Sequence, residues 1–173
     1  MKSQDQNRGI KSAAAVQDID RIWEGDSPLT HTIGVGWGDC DPAQIAYTAN
    51  VPGWNLEALE AWYKQCLGGN WFELNLDNGI GTPFVKLNVE FHAPITPRSD
   101  LQCRVYVEKI GNTSLSHHVE GSQSNRLCYT GTSTSVFVNA STFEPIKILT
   151  NMGHSIRHYA SAQGRDFIDS SRA

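Results

Sequence analysis

One stretch constrains this chain more than any other, the run from Val51 to Leu67. Projected at the 100° per residue of an α-helix, Glu57, Glu60 and Lys64 fall within a single narrow arc. Trp54, Leu56, Ala58, Leu59, Ala61, Trp62, Tyr63, Cys66 and Leu67 make nearly all the rest apolar or small. Glu60 and Lys64 add an i,i+4 pair on the one wet stripe. Asn50 stands where an N-cap belongs, Val51, Pro52 and Gly53 open the first turn, and Gly68-Gly69 ends the last. A helix with so little polar surface must be wrapped by other structure.

The wrapping comes from strands, because most of the remaining sequence alternates. Thr30 to Trp37 reads as a strand with Ile33, Val35 and Trp37 on one face. Its glycines, Gly34, Gly36 and Gly38, suit a bulge or close helix packing and lack the spacing of a dinucleotide fingerprint. After the helix, Trp71, Phe72, Leu74 and Leu76 suggest a short second helix, with turns at Asn78-Gly79 and Gly81. Phe84 to Phe91 then alternates, with Val85, Leu87, Val89 and Phe91 opposite Lys86, Asn88 and Glu90. Leu101 to Ile110, Thr113 to Glu120 and a long, Thr-rich segment from Arg126 to Asn139 follow. Thr150 to Tyr159 has the composition of a last helix.

This order predicts a strand, a long buried helix and a meander of four antiparallel strands. The expected class is α+β, with an antiparallel five-stranded sheet curled around one long central helix. Residues 29–160 form the expected single domain. Residues 1–28 read as a flexible or loosely docked extension and residues 161–173 as a frayed tail.

Composition narrows the function. At 173 residues and 39% hydrophobic content, the chain suits one domain with a real core. A formal charge of -4 offers no basic field for nucleic acid. No stretch approaches the roughly 20 apolar residues of a membrane span. Ala13-Ala14-Ala15-Val16 is too short for a signal-peptide core, so the expected location is cytoplasmic. Cys40, Cys66, Cys103 and Cys128 are too scattered for a zinc site or a disulfide framework. Cys40 lies between two acids and makes a poor nucleophile. His117 and His118 share a strand and so point to opposite faces. His154 and His158 fit one helical face but lack the intervening Glu of a zinc protease, and read as surface residues. Neither a metal nor a cofactor is expected.

Between the first strand and the helix lies Gly38-Asp39-Cys40-Asp41-Pro42-Ala43. Loop aspartates ordinarily do no more than close Asx-turns. Here they immediately precede a helix N-terminus, whose unpaired N–H groups favour negative charge. Such donors can hold a developing oxyanion while a carboxylate attacks or activates water.

With Ile45 included, this run between a strand and a buried helix resembles the hotdog-fold acyl-CoA thioesterases, specifically the 4-hydroxybenzoyl-CoA thioesterase group. Asn50, Trp54, Cys66, Gly79-Ile80, Gly81-Thr82-Pro83 and Phe91 extend the resemblance over about residues 30 to 140. It implies that Asp41 is the catalytic nucleophile or general base, and that the backbone N–H at Thr48 polarises the thioester carbonyl. It implies that Asp39 orients the loop and that Thr82 lies near the ligand cleft; Gln44, Ile45 and Tyr47 are further candidate substrate contacts, and Trp71, close to the turn region, is the candidate wall of an acyl pocket. Lys109 and Arg126 are the residues available for coenzyme A phosphates, coenzyme A being part of the substrate. The family pairs two hotdogs into one continuous sheet, with sites at their interface, and commonly doubles again, so a homodimer or homotetramer is implied.

Three positions depart from the pattern. Gln44 stands where the family often has Gly. Leu56 replaces an acid directed at a ring hydroxyl, which favours an unsubstituted aromatic or apolar acyl group. Gly111-Asn112-Thr113-Ser114 replaces a basic cluster. Two other readings remain open. One is a thioesterase for acyl carrier protein, docked on Lys86, Arg98, Arg104 and Lys109; the other is a non-catalytic acyl-CoA-binding module.

Overall fold

The computed structural model describes residues 14–20, 22–25 and 27–171. In chain order its elements are β1 (Leu29–Ile33), α1 (Asn50–Leu67), α2 (Trp71–Leu76), β2 (Ile80–Gly81), β3 (Phe84–Phe91), β4 (Leu101–Ile110) and β5 (Ser114–Gln123). Then follow β6 (Arg126–Val136), β7 (Val138–Asn139), α3 (Thr150–Ala162) and β8 (Ile168–Asp169). The main sheet runs β1-β4-β5-β6-β3, with β8 parallel to the end of β4. Helix α1 packs on one face, burying Ala58, Leu59, Trp62 and Tyr63 completely, while Glu57 and Lys64 stay exposed. It ends at Gly68, whose φ of 78° is the left-handed conformation that glycine takes most readily. The α+β plan of an antiparallel sheet around one central helix is the observed fold. Among the described residues, no helix is long and apolar enough to cross a membrane.

The strand order departs from a simple meander. β4, β5 and β6 do form one, but β3 pairs with β6, from Phe84↔Ser135 to Phe91↔Tyr129. The connection after β3, residues 92–100, is longer than a hairpin needs, which lets the chain cross to the far edge. β3 is therefore an edge strand, with Val85, Leu87 and Phe91 exposed.

β1 ends at Ile33 rather than Trp37. Ile33 and Val35 are buried as expected, but Trp37 is 71% exposed and begins a 3-10 turn through Asp39. The Asp39 carboxylate accepts the Gly36 N–H at 2.8 Å and draws the chain into that turn. A Cβ at Gly34 would meet nothing, so close helix packing is not that glycine's role. The long final strand also breaks at Phe137, after which β7 joins β2.

Both chain ends are more ordered than expected. Residues 1–13 lie outside the described residues, but Ile19 and Trp23 are core residues. The Trp23 N–H donates to Ser155 Oγ at 2.7 Å. The Asp18 carboxylate accepts the Asn151 and Met152 N–H groups at 2.7 and 3.2 Å. It thus caps α3, whose own N-cap Leu149 has no side-chain oxygen to offer. At the other end, the Gln163 carboxamide bonds both the N–H and the C=O of Val107 at 2.8 Å. The tail then pairs with β4 and is not frayed through Ser171.

Candidate active site

The Asp41 hairpin is built from local backbone bonds. Cys40 and Ala46 form an isolated antiparallel bridge, and Asp41 N–H donates to the Ile45 carbonyl at 2.9 Å. The Gln44 N–H returns to the Asp41 carbonyl at 2.9 Å, and Gln44 takes a φ of 64°. A turn followed by one left-handed residue is the usual three-residue hairpin, with glycine favoured at that last place. Gln44 therefore keeps the loop shape that a glycine would give, at some backbone cost. One Asp41 oxygen, Oδ1, accepts the Ala43 N–H at 2.8 Å. Oδ2 has no hydrogen-bond partner among the described residues, and the side chain is half-buried.

This hairpin sits on the start of α1. The Asp39 carbonyl accepts the Tyr47 N–H at 2.8 Å and the Asn50 Nδ2 at 3.0 Å. Asn50 is thus the first helical residue rather than the N-cap, and its amide ties helix to loop. The N-cap is Ala49, which offers no side-chain acceptor, and the first turn holds no acid. Asn50 and Val51 N–H groups bond back to the Tyr47 and Thr48 carbonyls at 2.9 and 3.3 Å. The N–H groups of Thr48 and Ala49 have no acceptor among the described residues. The helix thus keeps free donors at its positive end, next to the hairpin that carries Asp41. Tyr47 and Thr48 are exposed, and Ile45 is half-buried.

A second feature lies further along α1. An apolar cleft of about 610 Å³ is lined by Leu56, Trp71, Phe72, Asn75, Leu76, Thr82 and Phe84. Trp71 stacks edge-on to Phe84 with ring centroids 5.5 Å apart. Behind it, the buried Tyr63 phenol shares a 2.8 Å hydrogen bond with Ser135. Burial pushes that phenol's pKa up to about 12, so it stays neutral.

Asp41 does not line this cleft. The hairpin meets the connection after β3, where Ala46 N–H donates to the Ile95 carbonyl at 2.8 Å, whereas the cleft uses Phe84 at the start of the strand. Seven residue steps along a strand span about 23 Å. Along α1 the two features are nearer, because the cleft residue Leu56 lies six residues, about 9 Å, beyond Asn50.

The sequence matches the model of the thioesterase-like superfamily over residues 35–154. The chain belongs to that superfamily. No curated protein matches it in sequence. Among solved structures, a thioesterase-superfamily protein from Jannaschia sp. CCS1 shares 38% identity, covering 78% of this chain and 94% of its own, with a TM-score of 0.74. DHNA-CoA thioesterase from Staphylococcus aureus shares the fold at 20% identity, covering 80% of this chain and 96% of its own, with a TM-score of 0.67. A 1,4-dihydroxy-2-naphthoyl-CoA thioesterase from Synechocystis does so at 17% identity, covering 74% and 94%, with a TM-score of 0.66.

In this thioesterase-like chain, the structure gathers Asp39, Asp41, Gln44, Ile45, Tyr47 and Thr48 at the helix mouth, and Trp71 with Thr82 at the cleft. It separates Lys109 from Arg126. Lys109 pairs with Ser116 and Arg126 with Gln123, about 23 Å apart along β5 at ~3.3 Å per residue. They form no joint phosphate site. Lys86 and Arg104 lie on strands three places apart in the sheet, about 14 Å at ~4.8 Å per strand, so the basic residues considered for a carrier protein form no tight cluster. Sequence reasoning passed over Phe72, Asn75 and Leu76 as cleft residues. Their helical spacing with Trp71 was legible, but the face they present was not.

Proposed function

We propose that the chain hydrolyses an acyl-CoA thioester carrying an aromatic or medium-sized acyl group. The observation that carries this is the Asp41 hairpin seated on an uncapped helix start. In the reaction, the Asp41 carboxylate attacks the thioester carbonyl carbon, or draws a proton from a water that does. The carbonyl oxygen becomes an oxyanion, held by the backbone N–H of Thr48. Collapse breaks the C–S bond, the coenzyme A thiolate leaves and takes up a proton, and water supplies the hydroxyl of the free acid. The protein's own groups suffice for each step, with coenzyme A entering only as part of the substrate.

Pairing of two copies through β3 would complete the site. An antiparallel match of these edges sets the Phe84 end of one strand against the Phe91 end of the other. The cleft of one copy then meets the Asp41 hairpin of its partner.

The test is thiol release from benzoyl-, 4-hydroxybenzoyl-, phenylacetyl-, acetyl-, hexanoyl- and palmitoyl-CoA, with wild type and Asp41→Asn side by side. Turnover of a compact acyl group, lost at least about a hundredfold in a folded Asp41→Asn protein, is expected. Near-normal turnover in that variant removes Asp41 from the mechanism.

A further inference from the structure

We propose that Asn75 selects acyl groups that carry a hydrogen-bonding substituent at the end remote from the thioester. This rests on the thioesterase reading and adds a residue that chooses its substrate.

The placement begins with α2. Asn70 Oδ1 accepts the Glu73 N–H at 3.0 Å, and Glu73 Oε2 accepts the Asn70 N–H at 2.8 Å. This reciprocal cap and the buried Leu74 hold a short helix in one orientation. On it, residues four apart stand one above the other. Phe72 and Leu76, 70% and 42% exposed, form the outer row. Trp71 and Asn75 form the row beside it, and Trp71 reaches inward against Phe84 and Tyr63. Asn75 shares the inner row.

Of the seven side chains lining the cleft, Asn75, Thr82 and the Trp71 indole carry polar groups, and the Trp71 N–H is buried with no partner among the described residues. The Thr82 hydroxyl lies near the Tyr63 phenol, whose hydrogen bond goes to Ser135. The Asn75 carboxamide has no hydrogen-bond partner among the described residues. Its Nδ2 stands 3.5 Å from where a Cβ on Gly81 would be, a place already crowded by Val138 Cγ2 at 2.9 Å.

A carboxamide both donates and accepts, and so matches a hydroxyl or a carbonyl of either polarity. Trp71, Phe72 and Phe84 supply flat apolar walls for a ring. A largely apolar site with few polar groups discriminates sharply, because an acyl group without the matching atom leaves the carboxamide unpaired. Leu56 removes any acid from the α1 wall, so the polar contact comes from α2, and it is neutral.

The experiment compares kcat/KM for benzoyl-, 3-hydroxybenzoyl- and 4-hydroxybenzoyl-CoA in wild type, Asn75→Leu and Asn75→Ala. Wild type is expected to favour one hydroxylated substrate by about tenfold or more. Both variants should lose that preference, the ratio of kcat/KM for the hydroxylated substrate to that for benzoyl-CoA falling to about one. Two variants are included so that misfolding of one leaves the readout intact. Equal wild-type efficiency on all three, a preference that survives in the folded variants, or loss of every activity in them would overturn the role of Asn75 alone. Wild type inert toward all thioesters would overturn the thioesterase reading and this selection with it.

Discussion

A Cβ on Gly131 would overlap the carboxamide oxygen of Asn55. Asn55 lies on the buried face of α1, fully enclosed, and neither amide atom has a hydrogen-bond partner among the described residues. Gly131 on β6 is thus the space that lets the central helix close onto the sheet at this point.

Gly131→Ala should therefore destabilise the fold by about 1–3 kcal/mol, the range for forcing extra volume into a packed interior. Asn55→Ala should restore part of that loss, because it removes the overlapping atoms together with an unpaired amide. Urea midpoints for the two single variants and the double variant measure the coupling. Purely additive effects would show that the two residues do not limit each other.

His117 faces α1 from β5, with its ring centroid 4.4 Å from that of Trp62 and both ring nitrogens without a partner among the described residues. Burial pushes its pKa down from 6.5 to about 3, so the folded protein holds a neutral imidazole. Below pH 6.5 the unfolded chain binds a proton that the native state refuses. Stability from this source is complete above pH 6.5 and declines as pH falls toward 3, by up to about 1.4 kcal/mol per pH unit. His117→Leu should flatten the decline between pH 6.5 and 5. Parallel stability curves for wild type and variant would exclude His117 as its cause.

At the helix mouth, backbone and side chain can be separated. Thr48→Ala should keep turnover within about threefold, since the proposed oxyanion donor is main chain. Thr48→Pro removes that N–H and should cost at least about a hundredfold in kcat in a folded protein. Equal effects of the two substitutions would count against the assignment.

The exposed inner face of β3 makes assembly measurable. Wild type should sediment as a dimer or tetramer. Leu87→Lys, which sets a charge on the edge to be covered, should shift it toward monomer. Thiol release should fall in parallel, as the cleft and Asp41 part company. A monomeric wild type with full activity would rule out the shared site.

Much of the architecture was legible because it is local. The narrow arc of Glu57, Glu60 and Lys64 marks a wrapped helix whatever wraps it, and period-two alternation marks the strands. The Asp41 hairpin is also local: its turn bonds join residues no more than six apart, so motif and position sufficed to single it out. Periodicity left no sign that β3 would cross to the edge beside β6, since alternation states which face is apolar and says nothing about the neighbour. The same holds for Asp18 capping α3 across more than 130 residues, and for Gln163 bonding Val107. The helical pattern singles out nothing at Asn55, and only packing against Gly131 shows it sealed inside. The residues themselves determined the helix, the strands and the acidic hairpin, because these depend on near neighbours. Tertiary structure decided which strand became the free edge and which end of it holds the cleft, because strand partners and buried contacts are chosen by the whole chain at once.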